Sequence, residues 1–285
     1  MPRLFCFGLG YSALALAERL QRQGWSIAGT CRSEAAAAPL RARGFDITLF
    51  DRTQPPSSPE ATLAGATHIL GSVPPDEAGD PVLDHWAPAL AALSGIAWAG
   101  YLSTTGVYGD RAGGWVDETS ALEPTGARGR RRVAAEQGWL GLGLPMHLFR
   151  LAGIYGPGRS ALDTVRSGRA RRIVKPGQVF SRIHVADIAA VVEASIARPN
   201  PGAAYNLCDD NPAPPDEVIA YAATLLGAPL PPAIPFDQAE LSDMARSFYA
   251  DNKRVANARI KRELGVTLAY PDYRSGLEAL LKDES

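Results

Sequence analysis

Short runs of mostly apolar residues alternate with stretches of helical periodicity through the N-terminal part of the chain. Such runs are typical of parallel strands that are buried on both faces. They predict strands at 3–7, 25–30, 45–50, 67–73 and 97–102. Apolar residues three or four positions apart predict helices between these strands, at 13–20, 35–43 and 84–93. Strands that alternate with helices at this spacing predict a doubly wound, parallel α/β sheet.

The first predicted strand is followed by a glycine turn with the sequence Gly-Leu-Gly-Tyr-Ser-Ala at 8–13. Gly8 lets the chain turn sharply. Gly10 has no side chain to keep the backbone away from a pyrophosphate, and Ala13 is small enough for close helix–strand packing. The helix N-terminus that follows offers free N–H groups and a positive dipole end to phosphates. This Rossmann-type unit predicts a dinucleotide site that also includes Tyr11 and Ser12.

The second predicted strand leads into Arg32 and Ser33, where NAD-binding proteins usually carry an acidic residue for the ribose 2′-hydroxyl. A guanidinium can hold a 2′-phosphate with a planar fork of donors, so these residues favour NADP, and NAD stays the alternative. A merely solvated arginine at a strand end is the other interpretation. Asp51 and Val73 end the third and fourth predicted strands, where ligands gather in open α/β sheets, and complete the predicted cofactor site.

The composition argues against several classes of function. The 285 residues carry a formal net charge of −1, which gives no general attraction to nucleic acid or to an anionic membrane. Arginines cluster at 128–132 and 166–172, but such runs are mostly solvated faces. No apolar segment is long enough to cross a bilayer, and glycines interrupt the N-terminal stretch that resembles a signal peptide. The three cysteines lack metal-ligand spacing, which predicts reduced thiols, a cytoplasmic protein and no metal site.

Four segments further along the chain carry a resemblance to a known family. They are 103–109 (Ser-Thr-Thr-Gly-Val-Tyr-Gly), 150–159 (Arg-Leu-Ala-Gly-Ile-Tyr-Gly-Pro-Gly-Arg), 182–189 (Arg-Ile-His-Val-Ala-Asp-Ile-Ala) and 205–207 (Tyr-Asn-Leu). In this order they resemble the extended, NAD-dependent epimerase/dehydratase branch of the short-chain dehydrogenase/reductase superfamily, over almost the whole chain.

The chain changes character from Pro212 onward. Helical periodicity predicts helices at 216–226 and 276–281, and the segment 252–257 is predicted to open another helix. The proline-rich segment 228–235 favours extended structure. Together with the resemblance, this predicts a Rossmann domain and a small, interleaved C-terminal substrate lobe. The predicted Rossmann domain covers 1–151 plus part of 182–210, and the predicted lobe covers 152–181 and 211–285.

The segment between Pro124 and Glu136 departs from the family's pattern. The resemblance places a Tyr-x-x-x-Lys pair here, but Arg128 holds the tyrosine position and Arg132 the lysine position. Arg132 is expected to hydrogen-bond the nicotinamide ribose, as the family's lysine does. Arg128 cannot replace a phenol as proton donor and base, because a guanidinium stays protonated at any workable pH. The family's usual acid/base residue is therefore missing.

Three hydroxyl groups remain as catalytic candidates. Thr104 matches the family's catalytic Ser/Thr position, Ser103 lies beside it, and Tyr108 offers a phenol after the same strand. Threonine is also a good strand residue and tyrosine a common core residue, so structural roles stay open for these side chains.

Two functions are compatible with these observations. The first is an NADP-binding oxidoreductase or epimerase/dehydratase-like enzyme that acts on a small polar substrate, such as a sugar or nucleotide-sugar derivative. The second is a catalytically inactive protein that senses the NADP/NADPH ratio. The missing tyrosine favours the sensor, whereas the hydroxyl cluster and the substrate lobe favour the enzyme. The expected partner is a small-molecule substrate, without nucleic acid or membrane, and a homodimer is left open.

Overall fold

The structure, a computed structural model, describes residues 1–283, apart from the side chain of Met244. Its strands are β1 (Arg3–Phe7), β2 (Ser26–Cys31), β3 (Asp46–Leu49), β4 (His68–Gly71), β5 (Trp98–Thr104), β6 (Trp115–Val116), β7 (Met146–Leu151), β8 (Gly153–Tyr155), β9 (Arg172–Val174), β10 (Arg182–His184), β11 (Ala204–Leu207), β12 (Ala233–Pro235) and β13 (Arg254–Val255). Its α-helices are α1 (Tyr11–Gln21), α2 (Glu34–Ala42), α3 (Pro59–Thr62), α4 (Pro81–Ala91), α5 (Ala127–Leu140), α6 (Ala161–Arg166), α7 (Val185–Ala197), α8 (Pro215–Leu225), α9 (Asp243–Ala250), α10 (Ala258–Leu264) and α11 (Tyr273–Asp283). Short 3-10 helices form at Thr105–Tyr108 and Phe236–Gln238.

The central layer is a parallel sheet with the strand order β11-β7-β5-β4-β1-β2-β3. β1 lies in its interior, with Leu4 opposite both Ile27 of β2 and His68 of β4. The chain adds β2 and β3 on one side of β1 and then returns to the other side at β4. Ligands bind where the strand order reverses in this way, beyond the carboxyl ends of the strands. The predicted doubly wound sheet is confirmed, and the turn after β1 lies at its switch point.

Aromatic side chains hold α4 and α5 on the sheet. The ring of Phe7 in β1 lies 5.1 Å from that of Trp86 in α4, and Tyr101 in β5 stacks on Trp139 of α5 at 5.5 Å. All four side chains are fully buried. Burial of one large apolar side chain contributes roughly 1.5–3 kcal/mol. The helix that carries the arginines at 128–132 is therefore fixed against β5.

The chain divides into two compact units that are interleaved along the sequence. The first comprises 1–104, 127–150 and 188–205, and the second comprises 105–126, 151–187 and the chain from 206 onward. The segment 105–126, which the sequence places in the first predicted domain, thus belongs to the second unit. In the part of the chain that the structure describes, no helix is both long enough and apolar enough to span a membrane.

One predicted helix is wrong. The sequence predicts that 252–257 opens a helix, but Arg254–Val255 forms β13 and pairs in parallel with Trp115–Val116 of β6. The N–H of Arg254 donates to the carbonyl of Gly114 at 2.9 Å, and α10 begins only at Ala258. The strand that pairs with β13 lies far away along the chain, and the periodicity of a local segment carries no information about such a distant partner.

Candidate functional site

The turn after β1 depends on the glycine at its first position. Gly8 has a φ of +82°, a left-handed conformation that residues with side chains rarely adopt. A Cβ atom on Gly8 would lie 2.9 Å from Cγ2 of Val73, in the segment after β4. The Gly8 N–H donates to the hydroxyl of Thr30 in β2 at 2.9 Å. Two predicted cofactor residues, Gly8 and Val73, are therefore neighbours, and Gly8 is required by the fold itself.

Gly10 leaves open space at the N-terminus of α1. Its φ of −87° and ψ of −170° suit any residue, and a Cβ atom there would meet nothing within 4 Å. Gly10 is the N-cap, so no side chain caps the helix, and the first turn holds no acidic residue. Tyr11 begins the helix half-buried, whereas Ser12 and Ala13 are buried. The start of α1 thus combines a positive dipole end with the room that a pyrophosphate needs.

A further glycine, which the motif does not include, lets this turn pack on β2. A Cβ atom on Gly29 would overlap the carbonyl oxygen of Cys6 and lie 2.9 Å from Cδ1 of Leu9. The bare backbone of Gly29 therefore supports the turn. The only signal in the sequence is a glycine inside an otherwise apolar strand, which often marks a close backbone approach.

The predicted 2′-phosphate residues differ in how they are engaged. Arg32 is exposed directly after β2, whereas the hydroxyl of Ser33 accepts a hydrogen bond from the N–H of Ala36 at 3.4 Å and caps α2. Asp51 closes its own turn, since its Oδ1 atom accepts from the N–H and the hydroxyl of Thr53. These hydrogen bonds and, to a smaller extent, the positive charge of Arg32 hold the pKa of Asp51 below its ordinary value.

Ser103 is bound to a buried ion pair. Its hydroxyl donates to Oε1 of Glu136 in α5 at 2.5 Å, and Oε2 of Glu136 accepts from Nη2 of Arg150 in β7 at 2.9 Å. The side chains of Arg150 and Glu136 are only 6% and 3% exposed. The sequence indicates Glu136 only as the end of a motif and predicts no partner for it. Thr104, the next residue in β5, is half-buried.

Arg132 fixes the start of α5 to the end of β5. Its Nη1 atom donates to the hydroxyl of Tyr101 at 2.9 Å and to the carbonyl of Leu102 at 2.8 Å. Its guanidinium also lies over the Tyr101 ring, 5.6 Å from the centroid. Burial raises the pKa of Tyr101, so this phenol stays neutral. Arg128 is exposed on the first turn of the same helix.

Tyr108 lies in the core of the second unit, where it is fully buried. Its hydroxyl donates to Oδ1 of Asn206 at 2.7 Å. Asn206 donates in turn through Nδ2 to the carbonyl of Ala256 at 3.2 Å, and its backbone N–H donates to Oε1 of Glu118 at 2.7 Å. The sequence predicts Tyr108 as a catalytic candidate, but its phenol is a member of a buried hydrogen-bond network.

A cavity of about 420 Å³ opens within the second unit. The loop after β8, the start of α6 and parts of α8 and α11 line it, and Tyr155, Arg159 and Arg182 are among the lining residues. The hydroxyl of Tyr155 donates to the carbonyl of Asp272 at 3.3 Å, and burial raises the pKa of this phenol. The sequence predicts a substrate lobe in this region but assigns no ligand to its arginines.

The fold and the open turn at α1 define a protein of Rossmann type. Its architecture is that of the extended, NAD-dependent epimerase/dehydratase branch of the short-chain dehydrogenase/reductase superfamily, so the resemblance that the motifs predict is confirmed. No protein-family model matches the chain.

The chain is similar to several relatives and solved structures. A functionally unknown conserved protein from Silicibacter pomeroyi is 56% identical, with 100% of each chain covered and a TM-score of 0.92, and this chain belongs to the same family. Protein YeeZ of Escherichia coli (strain K12) is 29% identical, over 95% of this chain and 97% of its own length. The fold is also shared with dTDP-glucose 4,6-dehydratase from Bacillus anthracis in complex with NAD, at 15% identity and a TM-score of 0.79, with 99% and 96% of the two chains covered.

Proposed function

We propose that this protein binds NADP through its first unit and uses it on a small polar substrate, such as a sugar derivative, in an oxidoreductase or epimerase/dehydratase-like reaction. The observation that carries the proposal is the open space at Gly10, at the uncapped N-terminus of α1. A side chain there would fill the room that a pyrophosphate needs. NAD in the structure of the Bacillus anthracis enzyme is a further support.

The residues of the first unit divide the work of holding the cofactor. The first turn of α1 binds the pyrophosphate, Arg32 binds the 2′-phosphate, and Val73 lies beside the turn through its contact with Gly8. Arg132 fixes the strand end that carries Thr104. The nicotinamide, when bound, supplies hydride transfer, and the protein supplies orientation and electrostatics.

Arg32→Asp is expected to reverse the cofactor preference. The change removes a charge-assisted contact to the 2′-phosphate and adds a carboxylate that repels it but accepts a ribose hydroxyl. NADPH affinity should fall and NADH affinity should rise, each by about tenfold, in a fluorescence titration. Arg22→Asp, an equal charge change at an exposed position after α1, is the control and should leave both affinities unchanged. Equal affinities of the wild type for NADPH and NADH would contradict the assignment to NADP.

Turnover of ordinary alcohols and ketones is expected to be slow. Arg128 cannot cycle a proton, Ser103 donates to Glu136, and Tyr108 donates to Asn206. General acid–base assistance typically contributes about 10²–10⁴-fold to a rate. The protein should therefore bind NADPH clearly and show weak or no activity with standard dehydrogenase substrates.

Thr104→Ala tests the proposed role of the Thr104 hydroxyl. If Thr104 polarises a substrate oxygen, the variant should lose roughly 100-fold in any turnover that is found, with NADPH affinity unchanged. The measurement is kcat and KM beside a cofactor titration. Thr105→Ala, at the next residue, is the matched control. A Thr104→Ala variant that keeps the wild-type rate would exclude this role.

A cofactor sensor without catalysis is the second candidate. It is favoured because the hydroxyls of Ser103 and Tyr108 both serve buried structural bonds, and because both positions of the family's Tyr-x-x-x-Lys pair hold arginine. A sensor should bind NADP and NADPH with different affinities in isothermal titration and should consume no NADPH with a panel of sugars and nucleotide sugars. Substrate-dependent consumption of NADPH would decide for the enzyme.

A further inference from the structure

The cavity in the second unit carries more positive than negative charge. Arg159, Arg169 and Arg182 line it, and Asp163 is the acidic residue among the described lining residues. The Oδ2 atom of Asp163 accepts from the N–H and the hydroxyl of Ser160, at 2.7 and 2.6 Å, in a capping box at the start of α6. The Asp163 carboxylate is thus engaged at the start of α6. The three arginines give the described lining of the cavity an excess of positive charge.

Arg182 is held in place by the backbone around it. Its Nη1 atom donates to the carbonyls of Phe180 and Ala213, at 2.9 and 3.0 Å. Asp209 is near enough to stabilise the positive charge, but Asp209 is itself buried, and burial raises its pKa to about 7. A guanidinium that is already oriented loses little freedom when it binds an anion.

The remaining lining suits an organic group. Val218, Ile219 and Leu277 contribute apolar surface, and Tyr273 contributes an aromatic ring. A volume of about 420 Å³ lies within the range of cavities that hold small organic ligands, and it exceeds what a bare phosphate needs. Arginine is the side chain that recognises phosphate oxygens in pairs, through its planar fork of donors.

We infer that this cavity binds the phosphate monoester of a small organic molecule. The phosphate lies on the three arginines, and the organic part packs against α8 and α11. Every residue that lines the cavity belongs to the second unit, whereas the proposed dinucleotide residues at 8–13, 32 and 73 belong to the first. Binding of the monoester therefore does not require the cofactor.

Glucose 1-phosphate is the probe, with glucose as its neutral match and inorganic phosphate as the ion without an organic part. Isothermal titration of the full chain without NADP should show binding of glucose 1-phosphate, weaker binding of phosphate, and none of glucose. Arg159→Ala and Arg169→Ala should each weaken glucose 1-phosphate binding about tenfold, since each removes one charge-assisted contact. Arg262→Ala, at an exposed arginine that pairs with Glu263, is the matched control and should leave the Kd unchanged.

Several outcomes would overturn this inference. Equal binding of glucose and glucose 1-phosphate would exclude recognition of the phosphate, and equal binding of the two phosphates would exclude an organic ligand. No binding of either phosphate, or binding that survives both arginine variants with unchanged Kd, would exclude the site. Gly10→Val separates this site from the dinucleotide turn, since glucose 1-phosphate binding should persist in that variant. Loss of it there would place the probe in the first unit.

Discussion

Gly10→Val is expected to lower NADPH affinity roughly 100-fold or more while the protein stays folded. The valine Cβ and its two methyl groups would occupy the open space beside the first turn of α1 and exclude the pyrophosphate. The backbone at Gly10 is extended, with φ −87°, so valine adopts it without strain. Fluorescence titration with NADPH measures the loss, and circular dichroism with thermal melting measures the fold.

Two other glycines provide the controls for this variant. Gly126→Val also places a side chain in open space, at a position in the second unit, and should leave both NADPH binding and the melting temperature unchanged. Gly8→Ala should act on the fold instead, because its φ is +82° and a Cβ would press on Val73. Wild-type NADPH affinity in folded Gly10→Val would show that the pyrophosphate does not lie at the turn after β1.

Glu136→Gln is expected to cost about 3–5 kcal/mol of the free energy of unfolding. The neutral amide leaves the Arg150 guanidinium buried without its counter-charge, in a place where its side chain is 6% exposed. The bond from Ser103 can still form to the amide oxygen, but the amide NH2 then faces Nη2 of Arg150, so the loss reports the charge together with one hydrogen bond of the pair. Urea denaturation of wild type and variant, followed by tryptophan fluorescence, gives the difference.

Matched variants separate the buried charge from simpler effects. Ser103→Ala removes only one partner of Glu136 and should cost about 1 kcal/mol. Glu263→Gln breaks ion pairs with Arg259, of the i,i+4 kind, and with Arg262, at a side chain that is 27% exposed, and should cost no more than about 1 kcal/mol. If Glu136→Gln costs no more than Glu263→Gln, the pair does not hold α5 to β7.

This ion pair bears on the proposed reaction. The residue beside Thr104 is bound to Glu136, and Arg132 bonds the backbone at Leu102, so the carboxyl end of β5 is fixed from two sides. A rigid strand end is a good support for an oriented hydroxyl. The bond to Glu136 engages the hydroxyl of Ser103, and the Thr104→Ala variant tests the hydroxyl beside it.

The sequence by itself determined the strands β1 to β5 and the glycine turn between β1 and α1. Apolar runs, helical periodicity and a Gly-x-Gly-x-x-Ala spacing are properties of neighbouring residues, and so is the exchange of the family's Tyr-x-x-x-Lys pair for Arg128 and Arg132. The motif also predicted different tasks for the two glycines of the turn, a sharp turn at Gly8 and room for a pyrophosphate at Gly10. The close approach of Val73 to Gly8 is visible only in the structure, because the two residues are far apart along the chain.

Only the tertiary structure decided how the polar side chains are used. Ser103 meets a carboxylate 33 residues away, and Tyr108 meets an amide 98 residues away, so neither partner can be read from local spacing. The pairing of β13 with β6 and the cavity lined by Arg159, Arg169 and Arg182 likewise join distant segments. A buried hydroxyl or charge must find a partner, and which one it finds is set by the packing of the whole chain.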